Sequence, residues 1–297
     1  MSSGVDRIVR ARRGLGIFAL ALVVTTAPLQ LMLLHRGRPI HEQPLLVAAI
    51  MWAPALASLV ARLVLREGLS DVSFRLPARG RARALLTAWF YPLAVCALAY
   101  VPAWVSGLAS FEAPTRVMDI ALSGPAPLRL AVRVAASLTV GVLSTVPFVA
   151  GEELGWRGYM LTRLVDARVS RPVLISGLVW GIWHAPLVFS GVYAQVPYPR
   201  AQTVLFFVNI VSSGYLVARL RLESGSIWPP ILLHAAWNSV LGSFDRSTKG
   251  DAATLWTGEM GLLVAVANVI VIALLVRGEW SARRDPRAEP LPLTVPR

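Results

Sequence analysis

The chain is nearly without two residues that carry much of soluble protein chemistry: one cysteine, Cys96, and one lysine, Lys249, in 297 residues. A single cysteine excludes an intrachain disulfide and a thiolate-held metal cluster. Cys96 lies in an apolar stretch, where it reads as packing. Charge is scarce too. Asp, Glu, Lys and Arg make up 15% of residues against 56% hydrophobic, where soluble domains hold about 25% and about 45–50%. With a mean hydropathy of +0.61 there is too little polar surface to cover a water-soluble globule, and the same composition excludes disorder, collagen and coiled coil. There is no HExxH helix, serine nucleophile elbow or glycine-rich phosphate loop. Internal repeats, low-complexity tracts and long hydrophilic domains are also missing, so the chemistry lies within or at the edge of a bilayer.

What is present is a series of apolar blocks near the roughly 20 residues that a helix needs to cross hydrocarbon. Eight such stretches occur. Four are the clearest: Leu15 to Leu34, Leu45 to Leu65, Ala84 to Ser106 and Gly258 to Val276. Four hold polar residues: Arg133 to Leu164, Val173 to Val192, Gln202 to Leu220 and Ile227 to Phe244. The expected fold is an all-α polytopic membrane helix bundle of about eight transmembrane helices. Arg7, Arg10, Arg12 and Arg13 precede the first block like the n-region of a signal peptide, but no small-x-small cleavage site follows and the block is long enough to span, so a retained helix is expected.

The net charge of +13 would suggest nucleic-acid binding in a soluble protein. Here the arginines sit between apolar blocks and read as topology signals facing anionic headgroups, so no nucleic-acid partner is expected. Placing both termini in the cytoplasm puts 20 Lys and Arg on the inner side against 6 on the outer, the bias expected of inner segments. Tyr91, Trp104, Trp156, Trp228 and Trp256 read as interfacial belt aromatics, and Arg62, Arg129 and Arg133 as snorkelling side chains.

Ionisable groups inside a spanning helix cost at least about 2.5–3.5 kcal/mol each, so they face a protein interior or a water cavity and have partners. Three clusters break the apolar pattern: Gly151-Glu152-Glu153-Leu154-Gly155-Trp156-Arg157-Gly158-Tyr159, then Trp180-Gly181-Ile182-Trp183-His184-Ala185-Pro186-Leu187, then His234-Ala235-Ala236-Trp237-Asn238. Residues four apart share a helix face. Glu153 and Arg157 are so spaced, with the acid on the favourable N-terminal side, while Glu152 is rotated away and free to point elsewhere. Trp180 pairs in the same way with His184, and His234 with Asn238. Glu152 lies 12 residues before Leu164 and His184 lies 12 after Pro172, so antiparallel neighbours would bring them level about 18 Å from their shared turn. This count is consistent with a cluster some way below the cytoplasmic surface.

A carboxylate and an imidazole sharing a water can take its proton and present it as a nucleophile. A second imidazole and an amide can hold the oxyanion that forms when a peptide carbonyl is attacked. Two His and one Glu also make a catalytic zinc ligand set, and the residues alone leave both options open.

The order and wording of the clusters resemble the CPBP family of CAAX prenyl endopeptidase and bacteriocin-processing intramembrane proteases, also called the abortive-infection family. Its signature of EExxxR, FxxxH and HxxxN on successive core helices is met by Glu152-Glu153-x-x-x-Arg157, Trp180-x-x-x-His184 and His234-x-x-x-Asn238. The flanking GEELGWRGYM, WGIWHAPL and SIWPPILLHAAWNS extend the likeness over roughly Phe148 to Val240. The chain departs at Trp180, where the family usually has Phe, which concerns the shape of the pocket wall. The resemblance implies that Glu152 and His184 activate water, that His234 and Asn238 stabilise the oxyanion, and that Glu153, Arg157 and Trp180 support them.

Members are described both as metalloproteases, which here would put zinc on Glu152, His184 and His234, and as glutamate-type proteases without metal. The metal-free account is favoured because an oxyanion role explains why Asn238 shares a face with His234, so no cofactor is firmly implied and zinc is the alternative. The implied partners are the lipid bilayer and a peptide or protein substrate at the membrane, whether membrane-associated, prenylated or leader-type. No feature fixes the oligomeric state. Family distribution and arginine-over-lysine usage point to a multi-pass protein of a bacterial cell membrane. The expected organisation is N-terminal transmembrane helices without assigned function (1–130), a catalytic helical core (131–245), and a last helix with a basic cytoplasmic tail (246–297). Two other classes compete: a transporter using the same polar residues as a proton or ion path, disfavoured by the absence of repeats, and a non-catalytic bacteriocin-immunity or scaffold membrane protein.

Overall fold

Prolines near helix starts set much of the architecture, because the first turn of a helix leaves N–H groups unpaired and loses nothing when one is missing. In the computed structural model, which describes residues 4–77 and 82–277, five of the eight long helices carry proline at their first or second position. The helices are α1 (Gly4–Arg36), α2 (Pro44–Leu65), α3 (Arg83–Val105), α4 (Ala126–Asp166), α5 (Pro172–Phe189), α6 (Pro199–Ser224), α7 (Trp228–Asp245) and α8 (Leu262–Arg277). Left-handed residues stop two of them: Arg66 (φ 53°) ends α2 and Gly225 (φ 66°) ends α6. Residues 1–3, 78–81 and 278–297, which include Arg79 and Arg81, lie outside the described residues.

Each apolar stretch corresponds to one helix of an all-α membrane bundle. Among the described residues, six helices are long and apolar enough to cross a membrane, α1 to α6, while the apolar part of α8, Leu262–Val276, is shorter. Minor strand pairs, Ser110–Phe111 with Thr248–Lys249 and Arg116–Val117 with Ile120–Ala121, decorate the connections at one end.

Helix α4 runs 41 residues, but two π-helical turns interrupt it, at Ser137–Gly141 and Trp156–Met160. Such turns disturb the regular carbonyl pairing, and side chains from other helices bond to the carbonyls there. Ser239 Oγ donates to Ser137 O (2.9 Å), Trp89 Nε1 to Leu138 O (2.9 Å), Arg221 Nε to Arg157 O (3.3 Å) and Arg62 Nη2 to Gly158 O (3.1 Å). Arg62 therefore does not snorkel. It is 2% exposed and also pairs with Asp71 at 2.6 Å, because the second π turn and the connection after α2 supply acceptors before the side chain can reach the interface. Tyr91 and Trp156 are likewise buried in the core rather than in an aromatic belt. The Tyr91 hydroxyl donates to Asn268, and Trp156 packs edge-on to Trp183 and Phe18.

The site-bearing part of α4 is held against α2 by the absence of two side chains. A Cβ on Gly151 would lie 2.7 Å from Met51 O, and one on Gly155 would lie 2.4 Å from Pro54. This small-xxx-small pair lets the backbones touch, as membrane helices do when lipid offers no hydrophobic drive for association. Gly155→Ala is expected to lower stability by at least about 1–3 kcal/mol, since the added methyl meets backbone that cannot move aside. Gly16→Ala on α1, where a Cβ meets nothing within 4 Å, should be neutral or stabilising by up to about 1 kcal/mol. Thermal unfolding in detergent checks both, and equal melting of the two variants would contradict the close-approach account.

Candidate active site

Helix α4 presents Glu152 and Glu153 in different directions, as their rotation requires. Glu152, 3% exposed, accepts a hydrogen bond at Oε2 from Trp180 Nε1 of α5 (2.8 Å). Glu153 is fully buried. Its Oε1 accepts from Arg157 Nη1 one turn on (2.9 Å) and from His234 Nδ1 of α7 (2.9 Å), so one oxygen ties two helices. Glu153 Oε2 and Arg157 Nε and Nη2 have no hydrogen-bond partner among the described residues. The Arg157 guanidinium instead lies 4.3 Å from the Trp180 ring centroid, a cation–π contact that gives a buried cation partial compensation.

Trp180 is the hub of the arrangement. His184 and His234 both stand edge-on to its indole, with centroids 5.7 and 5.3 Å away. His184 Nδ1 bonds to the Trp180 carbonyl (2.9 Å). A carbonyl can only accept, so this nitrogen carries the proton and Nε2 keeps its lone pair when the ring is neutral. By the same logic His234 donates from Nδ1 to Glu153. If His234 is charged, the positive charges of His234 and Arg157 balance the negative charges of Glu152 and Glu153, as a site this deep requires.

Glu152, His184, His234 and Asn238 line one cavity of about 160 Å³, ample for several waters and a peptide group. Asn238 is the exposed member of the four. Its α7 carries it one turn beyond His234, as the sequence spacing predicts. The rest of the wall is largely apolar, including Ile50, Met51, Leu187, Phe206 and Ile210. Trp180 also lines the cavity, whereas Glu153 and Arg157 are not among its lining residues. Trp180 does more than shape the wall, because its indole N–H bonds Glu152, which a phenyl ring could not do.

Among the described residues, no three His, Cys, Asp or Glu side chains gather as a metal-binding group. One expectation needs correction. The cavity lies at the other end from the one the depth count favoured. Its lining reaches Leu33, Ile40, Val47, Tyr193 and Glu259, beside the connections opposite the basic segments 66–77 and 167–171. Counting from a shared turn gives the relative level of two residues, but not the end at which a cavity opens. Sequence reasoning missed Tyr193 and Glu259 because neither belongs to a motif. The one available signal was an acid, Glu259, at the second position of the last apolar block of a chain poor in acids.

Residues 130–240 match the family described as type II CAAX prenyl endopeptidase Rce1-like, the segment that holds all three clusters. The chain is also 30% identical over 129 residues to CAAX prenyl protease 2 of Methanococcus maripaludis, an alignment covering 41% of this chain and 45% of that protein. It thus spans less than half the length of the curated relative it matches.

Glu153→Gln removes the counter-charge of a fully buried guanidinium and is expected to cost about 3–5 kcal/mol. Adding Arg157→Met should recover part of that loss, because the orphaned charge goes with it. Detergent thermal unfolding of wild type, single and double variants reads this, and a single variant within 1 kcal/mol of wild type would refute the pairing.

Proposed function

We propose that the chain, whose 130–240 core matches the type II CAAX prenyl endopeptidase Rce1-like family, is an intramembrane endopeptidase that hydrolyses a peptide bond in a membrane-associated, prenylated or leader-type peptide. The observation that carries this reading is that Glu152, His184, His234 and Asn238, from three helices, line a single cavity. Glu152 and His184 share the base role. The Trp180 bond occupies Glu152 Oε2 and leaves Oε1 for a ligand, while His184 keeps an Nε2 lone pair. A water between them loses its proton to this pair and attacks the carbonyl carbon. The carbonyl oxygen becomes an oxyanion that accepts from Asn238 Nδ2–H and from His234 Nε2–H.

That second donor requires the imidazolium, since Nδ1–H is already given to Glu153, and the buried Glu153 carboxylate is its counter-charge. Collapse of the intermediate breaks the C–N bond, and the departing amine takes the proton held by the Glu152/His184 pair. The products are a carboxylic acid and an amine. The apolar walls suit a hydrophobic peptide segment and keep bulk water from the intermediate. The proposed setting is a bacterial cell membrane, with lipid and peptide as partners.

Cleavage of a quenched fluorescent peptide in detergent tests the site. Glu152→Ala and His184→Ala should each abolish turnover, and equal activity of both with wild type would reject the assignment. Asn238→Ala should lower kcat by about 10²–10³-fold with KM little changed, as removal of an oxyanion donor does. Trp180→Phe keeps an aromatic wall but removes the Glu152 donor, so kcat should fall about tenfold, the worth of one charge-assisted bond.

A further inference from the structure

The two helices that bring His184 and Asn238 to the cavity, α5 and α7, meet at the ring contact of Trp180 with His234 (5.3 Å). At the base of the cavity they are linked through Trp180, Glu152 and Glu153 on α4. At the mouth a different residue links them. Glu259, in the connection between α7 and α8, lines the cavity and accepts from donors on opposite walls. Its Oε1 takes Trp237 Nε1–H of α7 at 2.6 Å, from the residue before Asn238. Its Oε2 takes the hydroxyl of Tyr193, whose ring stands edge-on to His184 at 6.0 Å and to Phe206 at 5.1 Å. Its backbone carbonyl accepts Asn209 Nδ2 of α6 at 2.8 Å, which fixes the connection itself.

Each of these donors is anchored in turn. The Trp237 indole stacks on Tyr91 (6.0 Å, 24°). The Tyr193 N–H donates to Leu187 O of α5 at 3.0 Å, and the neighbouring Val192 carbonyl accepts Ile40 N at 3.2 Å. Behind Glu259, Gly258 takes the left-handed conformation (φ 81°) and donates its N–H to Tyr100 at 2.9 Å. Burial, and then the charge of Glu259, hold the Tyr193 phenol well above its usual pKa, so it stays a donor at working pH. The carboxylate thus spans the mouth as a rigid strut.

We propose that Glu259 is a positioning residue: by joining Tyr193 to Trp237 it fixes the distance across the cavity between His184 and Asn238. This rests on the peptidase reading for its kinetic consequence but not for its geometric one. The bridge needs two acceptor or donor contacts and does not need a charge. The amide of Glu259→Gln can accept Trp237 Nε1–H at its oxygen and donate to the Tyr193 hydroxyl, which can accept. Glu259→Ala loses both links.

The test pairs kinetics with a distance. Spin labels at Phe189→Cys and Arg246→Cys, in a Cys96→Ala background, report the separation of the cavity-mouth ends of α5 and α7 by pulsed electron resonance, with no substrate needed. Glu259→Ala should broaden that distance distribution and lower kcat about 10- to 100-fold, the usual result of misplacing catalytic groups by about 1 Å, while KM stays within threefold. Glu259→Gln should keep the narrow distribution and a kcat within threefold of wild type. If Glu259→Ala fails to fold, Tyr193→Phe combined with Trp237→Phe breaks the same bridge from the other side and should reproduce its effects. An unchanged distribution in Glu259→Ala, or a Glu259→Gln variant as impaired as Glu259→Ala, would overturn the proposal. A wild-type protein that cleaves nothing, with the distances changing as stated, would instead refute the peptidase reading alone.

Discussion

A carboxylate cut off from solvent, Glu153, accepts at one oxygen from a guanidinium on its own helix and an imidazole on another. A lone ion at this depth would shed its charge or unfold the site. Here the acid, Arg157 and His234 can coexist only as a set, and the set draws α7 onto α4. Everything polar in the cavity follows from that join. His234 is oriented with Nδ1 spoken for, Asn238 follows one turn along, and Glu152 is left outside the pair to act on the cavity contents. The neighbouring residue in sequence does the structural task so that Glu152 need not.

The same division appears in the helix backbone. A spanning helix has no water to satisfy its irregularities, yet α4 has π-helical turns on both sides of the acidic pair. Hydroxyl, indole and guanidinium donors from α2, α3, α6 and α7 bond to the affected carbonyls. Arg62 and Arg221 carry this out beside Asp71, whose carboxylate Arg163 also meets at 2.8 Å and whose backbone carbonyl accepts Arg221 Nη2. The ion-pair group at the basic end of the bundle is thus continuous with the turn that holds Arg157. Charge at one end of the bundle holds the geometry on which the cavity depends.

The bundle and the motif side chains were legible from the chain because their signals are local. Apolar length marks a helix, and a spacing of four marks a face, so Glu153 with Arg157, Trp180 with His184 and His234 with Asn238 could be paired without coordinates. What was not legible depends on contacts distant in sequence. Arg62 looked like a snorkelling side chain because its helix gives no hint of Asp71 in the next connection or of a π turn nearly a hundred residues on. Tyr91 and Trp156 have the composition of belt aromatics, and only packing against α8 and α1 makes them core. The cavity opening was misplaced because a count along two helices fixes their relative level and carries no information on which connections stand back to leave a mouth.

Trp180 shows how a conservative change can alter chemistry rather than shape. An aromatic ring at this position separates the two imidazoles and roofs the arginine, tasks that any ring performs. The indole adds one N–H, and that N–H meets the carboxylate assigned to activate water. A hydrogen bond to a carboxylate narrows its rotamers and fixes which oxygen faces the cavity. Such fixing favours turnover where placement limits the rate. A cavity walled by several separate helices, with an apolar lining and few ionisable groups to fix a ligand, is such a place. The extra donor on α5 and the Glu259 strut at the mouth are then two answers to one constraint: separate helices must be held in register without filling the space between them.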